Sequence, residues 1–176
     1  MLTEFDDIVQ EIRNWIENYL DIPSEHYGGH KPCPFAKPAW HKGKVHVVFG
    51  MREEVEWQLA QWNDSYELVI VVYDANDWNA ESYTEERNKQ VVKKDLYLMS
   101  FDPDEDGPDD ESLDPQSWGE LTEEVYGMVF IQRLDNLQRY AEILKSQGYY
   151  DNLSPDFNNY VKRRELANAW TKEDQR

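Results

Sequence analysis

The feature that most constrains the fold is the segment 67–74, which reads ELVIVVYD. This unbroken and largely β-branched run predicts a central strand covered on both faces, because a half-exposed strand alternates apolar and polar residues. A central strand needs neighbours, and three more strand-like segments lie at 45–50, 96–101 and 126–134. We therefore predict a single-layer sheet of about four strands.

Helical patterns surround these strands. Apolar residues from Phe5 to Tyr19 recur at three- and four-residue spacing, which predicts an amphipathic helix that ends near Asp21, ahead of Pro23. Other helices are predicted at 53–62, at 84–95, after Asp135 and from Pro155.

The alternation of strands and helices predicts an α/β or α+β fold, with helices packed on the sheet. A parallel sheet and a mixed, ferredoxin-like arrangement both remain open. Residues 1–153 are expected to form one domain, with a site loop at 22–44 and an acidic loop at 102–124. Residues 154–176 are expected to form a C-terminal helix that packs on the domain or extends from it.

The reactive side chains are gathered in the site loop and just after it. All four histidines and the single cysteine fall within 26–46, and no acidic residue occurs from His26 to Arg52. The whole chain carries a net charge of −18. Potential ligands, one thiol and a local positive field therefore coincide, which predicts a functional site here.

Cys33 is the candidate nucleophile or metal ligand. With Pro34 at the first position of a short helix, Cys33 would be the N-cap, and Lys37 one turn later would favour the thiolate. His46 is the candidate base. In the alternative interpretation Cys33 is a small buried apolar residue.

A metal or an anion could occupy the same loop. His26, His30 and Cys33, with His41 as a fourth ligand, have a close spacing that zinc or iron accepts, although these histidines could also be exposed turn residues. Lysines next to these ligands fit an anionic small molecule better than a cation. The candidate ligand-binding residues are Lys31, Lys42, Lys44 and Trp40.

The acidic loop offers a calcium alternative. Within DPDEDGPDDESL, positions 1, 3, 5 and 9 of a calcium loop are filled by Asp102, Asp104, Asp106 and Asp110. Leu113 stands where the bidentate glutamate belongs, so a solvated acidic loop is the alternative. A third interpretation makes the loop a lid over the lysines.

CPFAK at 33–37, followed by KVHVV and later by SFDPD at 100–104, resembles an uncharacterised family of small bacterial proteins. The chain is also similar to small acidic proteins of cyanobacterial tailed phages. Neither resemblance implies a reaction; they point to Cys33, Lys37 and Asp104. The chain lacks the Arg-Ser-Pro-Tyr-Pro segment of the bacterial family.

Two functions are compatible with these features. In the first, the protein is a cytoplasmic enzyme or ligand-binding protein that acts on an anionic small molecule or holds a metal. In the second, it is a non-enzymatic acidic protein, of the kind that a phage encodes, that docks on a host protein through 102–124 or mimics nucleic acid. Whether it is an enzyme stays open.

Composition excludes other classes. A lone cysteine permits no internal disulfide, which fits a reducing cytoplasm. The net charge of −18 argues against nucleic-acid binding over the general surface. No apolar run is long enough to predict a membrane span.

Overall fold

The structure, a computed structural model, describes residues 2–101, 126–151 and 155–174. Within these ranges a four-stranded mixed sheet is flanked by six α-helices. The strands are β1 Val45–Phe49, β2 Leu68–Asp74, β3 Leu96–Phe101 and β4 Tyr126–Arg133. The helices are α1 Leu2–Trp15, α2 Ala36–His41, α3 Arg52–Ala60, α4 Glu81–Val91, α5 Leu134–Ser146 and α6 Pro155–Asp174.

The sheet has the strand order β1-β2-β4-β3. β1 and β2 are parallel, with Val45 opposite Leu68, whereas β4 runs antiparallel to both β2 and β3. The predicted four-stranded α/β architecture is confirmed. A ferredoxin-like arrangement is not confirmed, because helix α4 lies between β2 and β3, where the order β-α-β-β-α-β has no helix.

β2 is buried on both faces, as the segment 67–74 predicted. Ile70 and Val72 face α1, while Val69 and Val71 face α3 and α4. These four side chains are at most 2% exposed. Each such burial contributes about 1.5–3 kcal/mol, and the two faces together make β2 the centre of the core.

The amphipathic N-terminal helix ends in a π turn, Ile16–Leu20, that positions acidic residues. Ile16 and Leu20 are both buried in the core beneath α1. Glu17 and Asp21, which carry the carboxylates of this segment, contact the site loop. π turns occur frequently next to functional sites.

The C-terminal helix α6 contacts both α5 and the sheet. Its Lys172 Nζ lies 2.8 Å from Asp135 Oδ1 on α5. The ring of Tyr160 lies 6.3 Å from that of Tyr97 on β3. α6 therefore packs on the sheet domain rather than extending from it.

Candidate functional site

The site loop is fixed at the edge where β1 and β2 begin. The backbone oxygen of Lys44 accepts the N–H of Glu67 at 2.8 Å. The Cys33 N–H donates to Leu20 O at 3.0 Å, and the Tyr149 hydroxyl donates to Pro32 O at 2.8 Å. The loop is thereby held between the end of α1 and the segment that follows α5.

A tight turn presents His30 and Lys31 at the loop surface. Ser24 N–H donates to His30 O at 3.0 Å, and Gly29 N–H donates to Ser24 O at 2.9 Å. Gly28 and Gly29 have φ angles of 64° and 84°, a left-handed conformation that glycine adopts without steric cost. The His30 ring lies 6.1 Å from that of Tyr149.

Two of the predicted lysines share one carboxylate that the sequence interpretation missed. Lys31 Nζ and Lys37 Nζ lie 2.9 and 3.1 Å from the two oxygens of Asp21. The hydrogen bond from Lys31 is the largest effect and lowers the Asp21 pKa. Burial acts in the opposite direction, and the hydrogen bond from Lys37 lowers the pKa further. The signal in the sequence was the i, i+4 pair Glu17 and Asp21 at the end of α1, immediately before the acid-free segment.

The histidines have separate partners. His41 Nε2 lies 3.0 Å from Glu17 Oε1, and the His46 ring stacks on Tyr66 at 4.7 Å. In the part of the chain that the structure describes, no three His, Cys, Asp or Glu side chains are grouped to hold a metal ion. The His26 side chain lies outside the described part, so the set of His26, His30, Cys33 and His41 stays a prediction.

The surroundings of Cys33 do not favour its thiolate. α2 begins at Ala36 with Phe35 at its N-cap, two residues later than predicted. Cys33 packs against the core beneath α1, and this burial raises the pKa of its thiol. The N–H groups of Phe35 and Ala36 lower that pKa by a smaller amount. Desolvation therefore opposes the predicted thiolate and outweighs the amide hydrogen bonds, and the role of Cys33 as a nucleophile stays a prediction.

Cys33 should consequently be alkylated more slowly by iodoacetamide in the folded protein than in denaturant at neutral pH. The thiolate is the reactive form, and the pKa of Cys33 is raised in the folded protein. The alkylation rate of the folded protein should therefore continue to rise at pH values where that of the denatured protein has become constant. Mass spectrometry of quenched samples measures both rates, with Cys33→Ala as the blank. Faster labelling of the folded protein would restore Cys33 as a nucleophile.

The predicted catalytic residues are not linked. Among the described residues no hydrogen bond joins Cys33, Lys37 and His46; Lys37 is bonded to Asp21 and His46 is stacked on Tyr66. An acid–base relay needs its members within hydrogen-bond reach. The arrangement therefore offers no support for catalysis by these three groups.

One pocket opens at the turn of the site loop. It has a volume of about 210 Å³, and we call it the His30 pocket. Of the predicted ligand-binding residues only Lys31 lines it: Trp40 packs against the core, Lys44 donates to Ser65 O at 3.2 Å, and Lys42 is exposed. The lining residues are Pro23, Gly29, His30, Lys31, Pro34, Leu144 and Gln147.

A second pocket, of about 240 Å³, lies between α3 and α4 and was not predicted. Glu56 receives two 2.9 Å hydrogen bonds from Arg87 and one of 2.7 Å from the Tyr83 hydroxyl. Burial and the Glu56 carboxylate raise the Tyr83 pKa. The ion pair of Glu56 with Arg87 therefore joins α3 to α4 across this pocket.

The acidic loop lies outside the described residues. The calcium ligands Asp102, Asp104, Asp106 and Asp110, the lid and the host-protein surface at 102–124 therefore stay predictions. β3 ends at Phe101. Because β2 and β3 run in the same direction, this residue lies at the end of the sheet opposite to the one where β1 begins.

Comparison of the chain with protein-family models, with curated proteins and with solved structures found no match. None of the helices within the described ranges combines the length and the apolar character needed to cross a bilayer.

Proposed function

We propose that this protein binds a small anion in the His30 pocket. The observation that supports this is the lining: His30 and Lys31 contribute to it and no acidic residue does. The chain has 36 acidic residues, and none of them lines this pocket. The pocket between α3 and α4, by contrast, has Glu56 and Glu86 in its lining.

The ion pair with Asp21 leaves positive charge at the pocket. Asp21 accepts from both Lys31 and Lys37, so two ammonium groups share one carboxylate. An ammonium has three N–H donors, and Lys31 uses one of them on Asp21. Its remaining donors and the His30 ring are the groups that would bind anionic oxygens.

The volume of the His30 pocket favours a small ligand, and its lining favours binding without catalysis. Drug-sized molecules occupy pockets of about 300–1,000 Å³, larger than the 210 Å³ found here. Phosphate, or the phosphate or carboxylate end of a small metabolite, fits this volume. Cys33 does not line the pocket, so a covalent step through its thiol is not part of the proposal.

The test is a titration with inorganic phosphate, monitored by calorimetry and by the amide chemical shifts of Gly29, His30 and Lys31. Lys31→Ala should weaken binding about tenfold, since a hydrogen bond to a charged group contributes about 1.5 kcal/mol or more. Lys37→Ala is the matched control, because it removes the other cation on Asp21 without touching the pocket lining.

Equal loss in the two variants would mean that phosphate responds only to the general charge of the site loop. No shift in the wild-type protein would reject the anion function altogether.

A further inference from the structure

The two edges of the sheet differ in how they are closed. On β3, the Asn88 side chain of α4 occupies the outer edge: its Nδ2 donates to Leu98 O at 2.9 Å, and its Oδ1 accepts the Leu98 N–H at 2.8 Å. The side chain thus takes the place of a neighbouring strand. No described residue makes an equivalent contact with the outer edge of β1.

The outward groups of β1 can be assigned from the parallel ladder. Gly50 N–H donates to Val72 O and Lys44 O accepts from Glu67, so even-numbered residues bond to β2. In a parallel pair alternate residues point to opposite sides. The N–H and C=O groups of Val45, Val47 and Phe49 therefore point away from the sheet.

β1 lacks the charged side chains and the proline that often keep edge strands from pairing. It reads VHVVF, with neither a formally charged residue nor a proline, and Phe49 at its end is 40% exposed. Edge strands in monomeric proteins usually contain lysine, proline or a bulge. Next to Phe49 lies Phe5, also exposed, with ring centroids 4.8 Å apart.

The charges around β1 fit a second copy of the same chain in antiparallel orientation. Lys42 and Lys44 precede the strand, whereas the first turn of α3 just after it holds Arg52, Glu53 and Glu54, with a net charge of −1. Antiparallel pairing of two β1 strands brings the lysines of one copy beside the glutamates of the other, twice by symmetry. Parallel pairing would set like charges side by side.

We propose that the outer edge of β1 is the interface of a symmetric dimer, in which β1 pairs antiparallel with β1 of a second copy about Val47. The outward groups of Val45 then exchange hydrogen bonds with those of Phe49 in the partner, and those of Val47 with their own symmetry mate. The two sheets join into one. Elsewhere the net charge of −18 per copy opposes association.

Multi-angle light scattering and analytical ultracentrifugation at about 0.15 M salt test this proposal. The expected mass is twice the 21.0 kDa of the chain. Phe49→Lys should weaken the dimer about tenfold or more, because it replaces the apolar cross-strand pair with Val45 of the second copy by a charge on the edge strand. Leu166→Lys, at another exposed apolar residue on α6, is the matched control and should leave the mass unchanged.

Charge exchange tests the orientation. Lys44→Glu and Glu53→Lys should each weaken the dimer, and the double variant should recover most of the loss. Recovery distinguishes pairing from damage to the fold, which circular dichroism monitors separately. A wild-type monomer with rapidly exchanging β1 amides would overturn the proposal and leave the edge to a strand of another protein. A dimer unaffected by Phe49→Lys would also overturn it.

Discussion

Replacing Trp15 with alanine should lower the free energy of unfolding by about 3–5 kcal/mol, the range seen when a buried large aromatic residue is truncated. Trp15 is 1% exposed. Its ring lies 6.4 Å from those of Phe101 and Phe130, so it joins α1 to β3 and β4. The substitution would leave a cavity between α1 and the sheet, and the rigid strands on one side of it would not move in to fill it. Urea denaturation followed by circular dichroism measures the loss.

Trp57→Ala is the matched control, because the same side chain on α3 is 56% exposed. Its effect should stay within about 0.5 kcal/mol. A Trp15 effect below that of Trp57 would mean that α1 is not docked on the sheet as described.

The strands were predictable because their signals are local. β3 occupies the predicted residues, and β2 is covered on both faces as its continuous β-branched run indicates. Strand order was not predictable, because the placement of β4 between β2 and β3 depends on pairing between distant segments. Nothing in the spacing of the strands along the chain states which of them become neighbours.

The loop that holds the pocket was predictable, but the pairing and burial of its side chains were not. The sequence singled out the loop that carries His30 and Lys31, and a pocket lies there. It did not reveal that Asp21 neutralises part of the lysine charge, or that the thiol is desolvated. Both effects arise because the loop packs against α1. The sequence suggests a local positive charge and an N-cap position, but it does not show which groups become paired or buried on folding.

Gly127→Ala should destabilise the protein by about 3 kcal/mol, the upper part of the usual range for overpacking. Gly127 lies opposite Tyr73 in the pairing of β4 with β2. A methyl group at Gly127 would lie 2.5 Å from the Tyr73 hydroxyl oxygen and as close to the ring, nearer than real Cβ atoms approach. Alanine in place of glycine ordinarily stabilises by about 0.4–1 kcal/mol through the unfolded chain, which is too little to offset this clash.

The clash cannot be relieved by a simple swing of the ring. Tyr73 is 3% exposed and packs edge-on against Trp78 at 4.9 Å. Tyr73→Val removes the ring and costs stability by itself, but it makes room for the new methyl group. Gly127→Ala should then cost little in the Tyr73→Val background, with a coupling energy of about 1–3 kcal/mol between the two sites. Additive effects in this double-mutant cycle would show that the cost of Gly127→Ala comes from the β4 backbone and not from the tyrosine.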